Sequence, residues 1–193
     1  MSACSNSGRT DAHAALASFI DTYFQKYFDF NPSEATSDGL HEYDSKLEER
    51  SGIRVQNRMT ELDGQAAQIA EIRKRDLNAD DAIDALLVEN RIQAELLDLR
   101  TIKTWRTPLY YAGIPGNAVD LLMKRDFAPA AARLAAVTAR LEQIPALIDA
   151  MQDNLLEPPR EFTDLAIRIV QGSIPFFRDS VAEWARSAAG RDQ

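Results

Sequence analysis

The chain has 193 residues, with 22 Lys plus Arg against 30 Asp plus Glu, a net charge of −8. That acidic balance excludes nucleic acid as a partner class, because such proteins draw most of their affinity from clustered cations that neutralise phosphates. Apolar residues make up 45% of the chain, enough to bury a core and too many for wholesale disorder. No run approaches the roughly 18–20 uninterrupted apolar residues of a transmembrane segment, so none is expected.

Cys4 is the only cysteine, which excludes an internal disulfide and a multi-cysteine metal site. The stretch around it, Met1 to Gly8, is small and polar, with no apolar or basic region of an intact signal peptide. Two readings of residues 1–9 stay open. One is a disordered tether. The other is the trimmed end of a bacterial lipobox with Cys4 as the lipidation site, which places the natural protein in the cell envelope; otherwise a cytoplasmic location is expected.

Leu16, Phe19, Ile20, Tyr23, Tyr27 and Phe30 recur at helical steps and predict a first helix from Thr10 or Asp11 with an aromatic face. Asn31-Pro32-Ser33-Glu34 reads as the next start, with Asn31 as N-cap, and Gly39 as the stop. His41-Glu42-Tyr43-Asp44 reads as a connector in which Asp44 caps the following segment. A helix carrying Ile53, Met59, Leu62, Ala66, Ile69 and Ile72 follows. Asn78 caps another, whose buried stripe is expected at Ile83, Leu86, Leu87, Asn90, Ala94 and Leu97.

From Thr107 to Gly116 the prolines and glycines predict an aromatic loop or broken helix, followed by a short helix over Val119 to Lys124. Leu134, Val137, Leu141, Ile144 and Ile148 continue the helical period, with Pro145 expected to divide the stretch in two. Thr163 is the expected cap of a last segment bearing Leu165, Ile169, Ile174, Phe177, Val181 and Trp184, kinked near Gly172 and Pro175. No alternating strand pattern or internal repeat intervenes. The expectation is an all-α bundle of about seven to eight helices over residues 10–193.

Chemistry is sparse. His13 and His41 are the only histidines, which excludes a His-rich site. His41-Glu42-Tyr43-Asp44-Ser45 approaches the zinc-peptidase pattern His-Glu-x-x-His but ends in Ser45 and follows a glycine stop. Trp105, Tyr110 and Tyr111 read as loop anchors, with a recognition surface as the alternative. Arg125-Asp126 and the charged run Arg73 to Asp76 read as solvated helix ends.

Several segments taken in order carry a resemblance. Pro32, Ala35-Thr36, Gly39, His41, Tyr43-Asp44 and Leu47 form a spaced pattern; Trp105-Arg106-Thr107-Pro108-Leu109-Tyr110 and Lys124-Arg125-Asp126-Phe127-Ala128-Pro129 follow; Leu141 to Pro145, Asn154-Leu155 and Pro158-Pro159 complete it. Together they resemble the bacterial domain of unknown function 885 family. The resemblance implies a large helical protein of zinc-metallopeptidase type, with zinc bound by a downstream His-Glu-x-x-His. No such motif occurs in this chain, so no catalytic or metal-binding residue and no cofactor is assigned to it. The chain is then expected to be an incomplete amino-terminal part, inactive alone, whose partners are the C-terminal catalytic part of the same polypeptide and a peptide substrate. By analogy with related helical peptidases it would form a wall or lid of a peptide channel, with His41, Tyr43, Tyr110 and Tyr111 as candidate lining residues. The alternative is a free-standing helical module that binds a protein partner.

Overall fold

A computed structural model describes the backbone of residues 3–190 and the side chains of residues 9–190. Among the described residues the chain is all-α, as the periodicity requires. The helices are α1 (Ala3–Phe30), α2 (Pro32–Ser37), α3 (Gly52–Ile72), α4 (Ala79–Leu97), α5 (Pro108–Ala112), α6 (Ile114–Lys124), α7 (Ala130–Asn154), α8 (Arg160–Pro175) and α9 (Ala182–Gly190). None of them is long and apolar enough to cross a membrane. The backbone is helical from Ala3, inside the stretch read as a tether; the Cys4 side chain lies outside the described residues.

The chain forms two compact units: one of residues 1–27 and 55–103, the other of residues 28–54 and 104–193. In the first, α1 buries Leu16, Phe19 and Tyr23, as its stripe predicts. Polar ties join it to α3 and α4. Tyr23 donates its hydroxyl to Glu95 at 2.5 Å, and Glu95 also receives the buried guanidinium of Arg58, with Nη2 at 2.8 Å. Asn78 caps α4 by accepting from the Asp81 amide at 2.9 Å, as expected of an Asn before a helix.

Burial first, then the hydrogen bond and charge of Glu95, push the Tyr23 phenol well above its usual range. The unfolded chain therefore loses this proton first as pH passes about 10. The stabilisation is whole below that pH and is lost as pH climbs toward the folded value. Thermal melts should show Tm falling from about pH 10 upward, and Tyr23→Phe should flatten that fall. Tyr43 and Tyr111 shift in the same direction, so some alkaline slope should persist.

The stripe expected on α4 is corrected. Its buried face is Ala85, Val88, Ile92 and Leu96, while Ile83, Leu86, Leu87, Asn90, Ala94 and Leu97 are exposed. Both faces are apolar, and the one with smaller side chains meets the unit. Ile53 on α3 is likewise exposed. Gln65 on α3 is buried with neither amide atom hydrogen-bonded, so Gln65→Leu should raise the denaturation midpoint, corresponding to about 1–2 kcal/mol.

In the second unit the 107–116 stretch is a broken helix: Pro108 and Pro115 sit in the first turns of α5 and α6, where a missing N–H costs nothing. Helix α6 consequently starts at Ile114 rather than Val119. Pro145 does not divide α7, which runs unbroken from Ala130 to Asn154. One proline removes one backbone bond, and Val137 and Leu147, on either side of it, are both buried. Thr163 is not a cap; α8 begins at Arg160, and the Thr163 hydroxyl donates back to the Pro159 carbonyl at 3.2 Å. The expected disturbance at Pro175 takes the form of a π-helical turn over Phe176–Val181. Val119, Leu122, Val137 and Val181 make one core cluster, with Phe127 and Trp184 against it. Leu47, Tyr111, Ala118 and Leu147 make another.

Candidate functional site

The segment His41–Tyr43 is a single 3-10 turn, following Gly39 in the left-handed region at φ +91°. A Cβ at Gly39 would meet no neighbour, so the requirement there is conformational rather than steric. The turn places the His41 ring flat on Phe127, 4.1 Å between centroids, and brings His41 Nδ1 within 3.1 Å of Asp44 Oδ2. Asp44 is therefore engaged with His41 and does not cap α3, which starts later at Gly52. His41, Asp44, Ser45 and Phe127 line an open hollow of about 450 Å³, completed by alanines of α7 and its approach. Tyr43 points inward instead: it is buried, its ring is near Phe28, and Lys46 Nζ lies 4.3 Å from its ring centre.

Arg140, on α7, holds this turn from below. It is fully buried and donates to the carbonyls of Ala118 and Tyr43 and to Thr36 Oγ1, at 2.5, 3.3 and 2.6 Å. Burial lowers its pKa while the nearby Glu48 and Asp44 charges oppose that. A guanidinium remains protonated through such a shift.

Trp105 and Tyr111 are both buried, and the Tyr111 hydroxyl donates to the Trp105 carbonyl at 2.7 Å. Asn154 donates to Tyr111 Oη at 2.9 Å and to the Arg50 carbonyl at 2.6 Å. Arg50 in turn donates to Tyr110 Oη at 2.8 Å, to Asn31 Oδ1 at 2.8 Å and to the Phe30 carbonyl. Asn31 thus occupies the N-cap position of α2 but makes no side-chain cap bond. The aromatic pair behaves as an anchor, with Tyr111 also reaching a second hollow.

That second hollow is a cleft of about 870 Å³ with α5 as its floor, α7 on one side and α8 on the other. Pro108, Tyr111, Leu147, Met151, Val170 and Ile174 are among its lining residues. At 100° per residue, the apolar positions of α8 cover an arc of roughly 200°. Ala166 alone on that helix is fully withdrawn from solvent, and Ile167, Val170 and Ile174 are about half exposed. Leu165 and Ile169, expected in the core, are exposed as well.

The four lining candidates therefore separate. His41 lines the smaller hollow, Tyr111 lines the cleft, and Tyr43 and Tyr110 are tied into the framework between them. Sequence reasoning missed Arg50 and Arg140, because a buried arginine leaves no periodic signature, and Phe127, because its stacking on His41 joins positions far apart in the chain. For zinc the residues present do not fit: among the described residues no group of three or more His, Cys, Asp or Glu side chains could hold a metal ion. His13 is spent on Asp81, 2.9 Å away, at an exposed position.

What these features define is an all-α domain tied by buried arginines, with an open apolar cleft. The chain belongs to the family described as bacterial protein of unknown function (DUF885), whose profile matches residues 32–193. Among solved structures it is similar to one from Shewanella oneidensis described as "a putative lipoprotein of unknown function", with 26% identity and a TM-score of 0.77. That alignment covers 87% of this chain but 31% of the other, so the chain spans about a third of the length of that relative. No curated protein matches the chain.

Proposed function

We propose that the chain is the amino-terminal helical domain of a longer envelope protein of zinc-metallopeptidase type, where it forms a wall of a peptide channel and takes no part in the chemical step. The observation that carries this reading is the cleft over α5, with the half-exposed apolar arc of α8 beside it. Apolar surface on this scale is the mark of an interaction face rather than of a solvated one. A C-terminal catalytic part of the same polypeptide is the occupant the reading supplies, and a relative about three times as long agrees with it. Zinc would come from that part. Cys4, if lipidated as the neighbour's description suggests, would hold the assembly at a membrane surface.

The test is the reading frame beyond Gln193, together with zinc content and peptide hydrolysis of the complete gene product. Continuation through a His-Glu-x-x-His, with stoichiometric zinc and hydrolysis in the long product alone, is the expected result. A stop codon at that point, or hydrolysis by the 193-residue chain, would overturn it. Val170→Asp should leave the isolated chain's stability within about 0.5 kcal/mol, since the side chain is half exposed, yet impair folding of the long product.

A further inference from the structure

The His41 side chain is 46% exposed, yet its ring is braced from three directions. Phe127 lies flat beneath it, Asp44 Oδ2 is 3.1 Å from Nδ1, and Arg140 holds the backbone of its turn at the Tyr43 carbonyl. A carboxylate only accepts, so Nδ1 carries the proton of that bond, and in the neutral ring Nε2 is left as an acceptor. A histidine that merely covers a surface needs no such bracing.

Asp44 supplies a second acceptor. It is 8% exposed and lines the same hollow as His41, and its Oδ1 has no donor among the described residues. An unmatched carboxylate oxygen in a buried place is a standing cost that calls for a reason. The terminal torsion of an aspartate is soft, so the carboxylate can turn toward a donor in the hollow for little energy. Ser45 also lines the hollow; Gln143 Nε2 holds its carbonyl at 2.8 Å, and its hydroxyl has no partner among the described residues.

The charges nearby favour a cation. Asp44 and Glu48 are both buried and both act on Arg140, whose own donors go to carbonyls and to Thr36. Two carboxylates against one guanidinium leave an excess of negative charge there. The other cations are engaged: Arg133 with Asp126 at 3.0 Å, and Lys46 with Asp29 at 3.9 Å and with the Tyr43 ring. The remaining wall is α7, where Ala132 and Ala136, one turn apart, present only methyl groups and leave about 450 Å³ open.

We infer that this hollow binds a primary ammonium group carried on a small apolar body. Its three N–H donors match His41 Nε2, Asp44 Oδ1 and the Ser45 hydroxyl, and its body rests on the alanine methyls and Phe127. The amino terminus of a peptide and the side chain of a lysyl residue both carry that group.

Amide NMR spectra of the isotope-labelled chain, titrated at constant ionic strength with L-alaninamide and with Nα-acetyl-lysine amide, test the assignment and separate the two sources. At least one of them should shift the signals of residues 41–45 and 127–136 saturably, with a Kd on the order of a millimolar, as suits a ligand of few atoms; the tighter one names the source. N-acetyl-alaninamide, which lacks the charge, and tetramethylammonium, which lacks N–H donors, should bind at least about tenfold more weakly. Asp44→Asn should weaken binding by about tenfold or more. Ala132→Leu, at an exposed helical position that tolerates leucine, should fill the hollow and block binding with circular dichroism unchanged. No saturable shift with either amine, shifts centred on another part of the chain, equal binding of tetramethylammonium, or undiminished binding by Ala132→Leu would each overturn the assignment. All of this is read on the 193-residue chain itself, so it stands or fails independently of whether a catalytic part follows Gln193.

Discussion

Arg58→Met should lower the free energy of unfolding by about 3–5 kcal/mol in urea titrations, the largest effect expected of any single change in the chain. Arg58 is fully buried on α3, and its Nε and Nη2 approach Glu95 Oε2 at 3.2 and 2.8 Å. Glu61 is 3.5 Å from the same guanidinium, and the Tyr23 hydroxyl donates to the Glu95 carboxylate. Methionine keeps the apolar stem but leaves Glu95, largely withdrawn from water, facing Glu61 and Tyr23 without its cation. The uncompensated carboxylate, rather than the lost contacts, dominates the cost. Glu95→Gln added to Arg58→Met should therefore recover part of the loss, since a neutral amide oxygen still accepts from Tyr23. A loss below about 1 kcal/mol for the single change would refute the account.

Arg140→Met should cost somewhat less, about 2–4 kcal/mol, for a different reason. No carboxylate is within bonding distance of Arg140; its acceptors are two carbonyls and the Thr36 hydroxyl, and its Nε has no partner. The variant leaves neutral acceptors stranded in the interior, each a smaller penalty than a stranded charge. The damage should be local to the turn that carries His41. Amide hydrogen exchange across residues 36–44 should accelerate more than exchange in α8, and Arg140→Lys should restore little, because one ammonium cannot reach acceptors on three elements. Uniform acceleration along the whole chain would show that Arg140 serves general stability instead of holding this turn.

Much of the fold was legible because helices announce themselves locally. The aromatic stripe of α1, the Asn78 cap and the prolines that begin α2, α5 and α6 all act within a turn or two of chain. Pro145 and Thr163 misled for the same reason. A proline signals a break only where packing is too weak to hold the helix across it, and a threonine caps only if the helix has not already started, as α8 has at Arg160.

The candidate site was legible only in part. Gly39, His41 and Asp44 stand in a recognisable spacing, and the turn they form follows from the glycine. Phe127, which stacks on His41, is far along the chain, and its approach depends on how α6 returns into α7. Arg50 and Asn154 bind carbonyls and hydroxyls from three separate segments, a role no local pattern encodes.

From its sequence alone this protein is all-α, acidic, without an internal disulfide, and a member of a family recognisable by spaced short motifs. Those properties depend on composition and on interactions only a few residues apart. The tertiary structure decided which face of each helix is buried. Periodicity marks an apolar stripe but not its occupant, and on α4 two such stripes competed. The face bearing Ala85, Val88 and Ile92 is the one turned inward, because smaller side chains let the backbone come close. Ile83, Leu86 and Leu87 were left outside, on the solvent side of the helix.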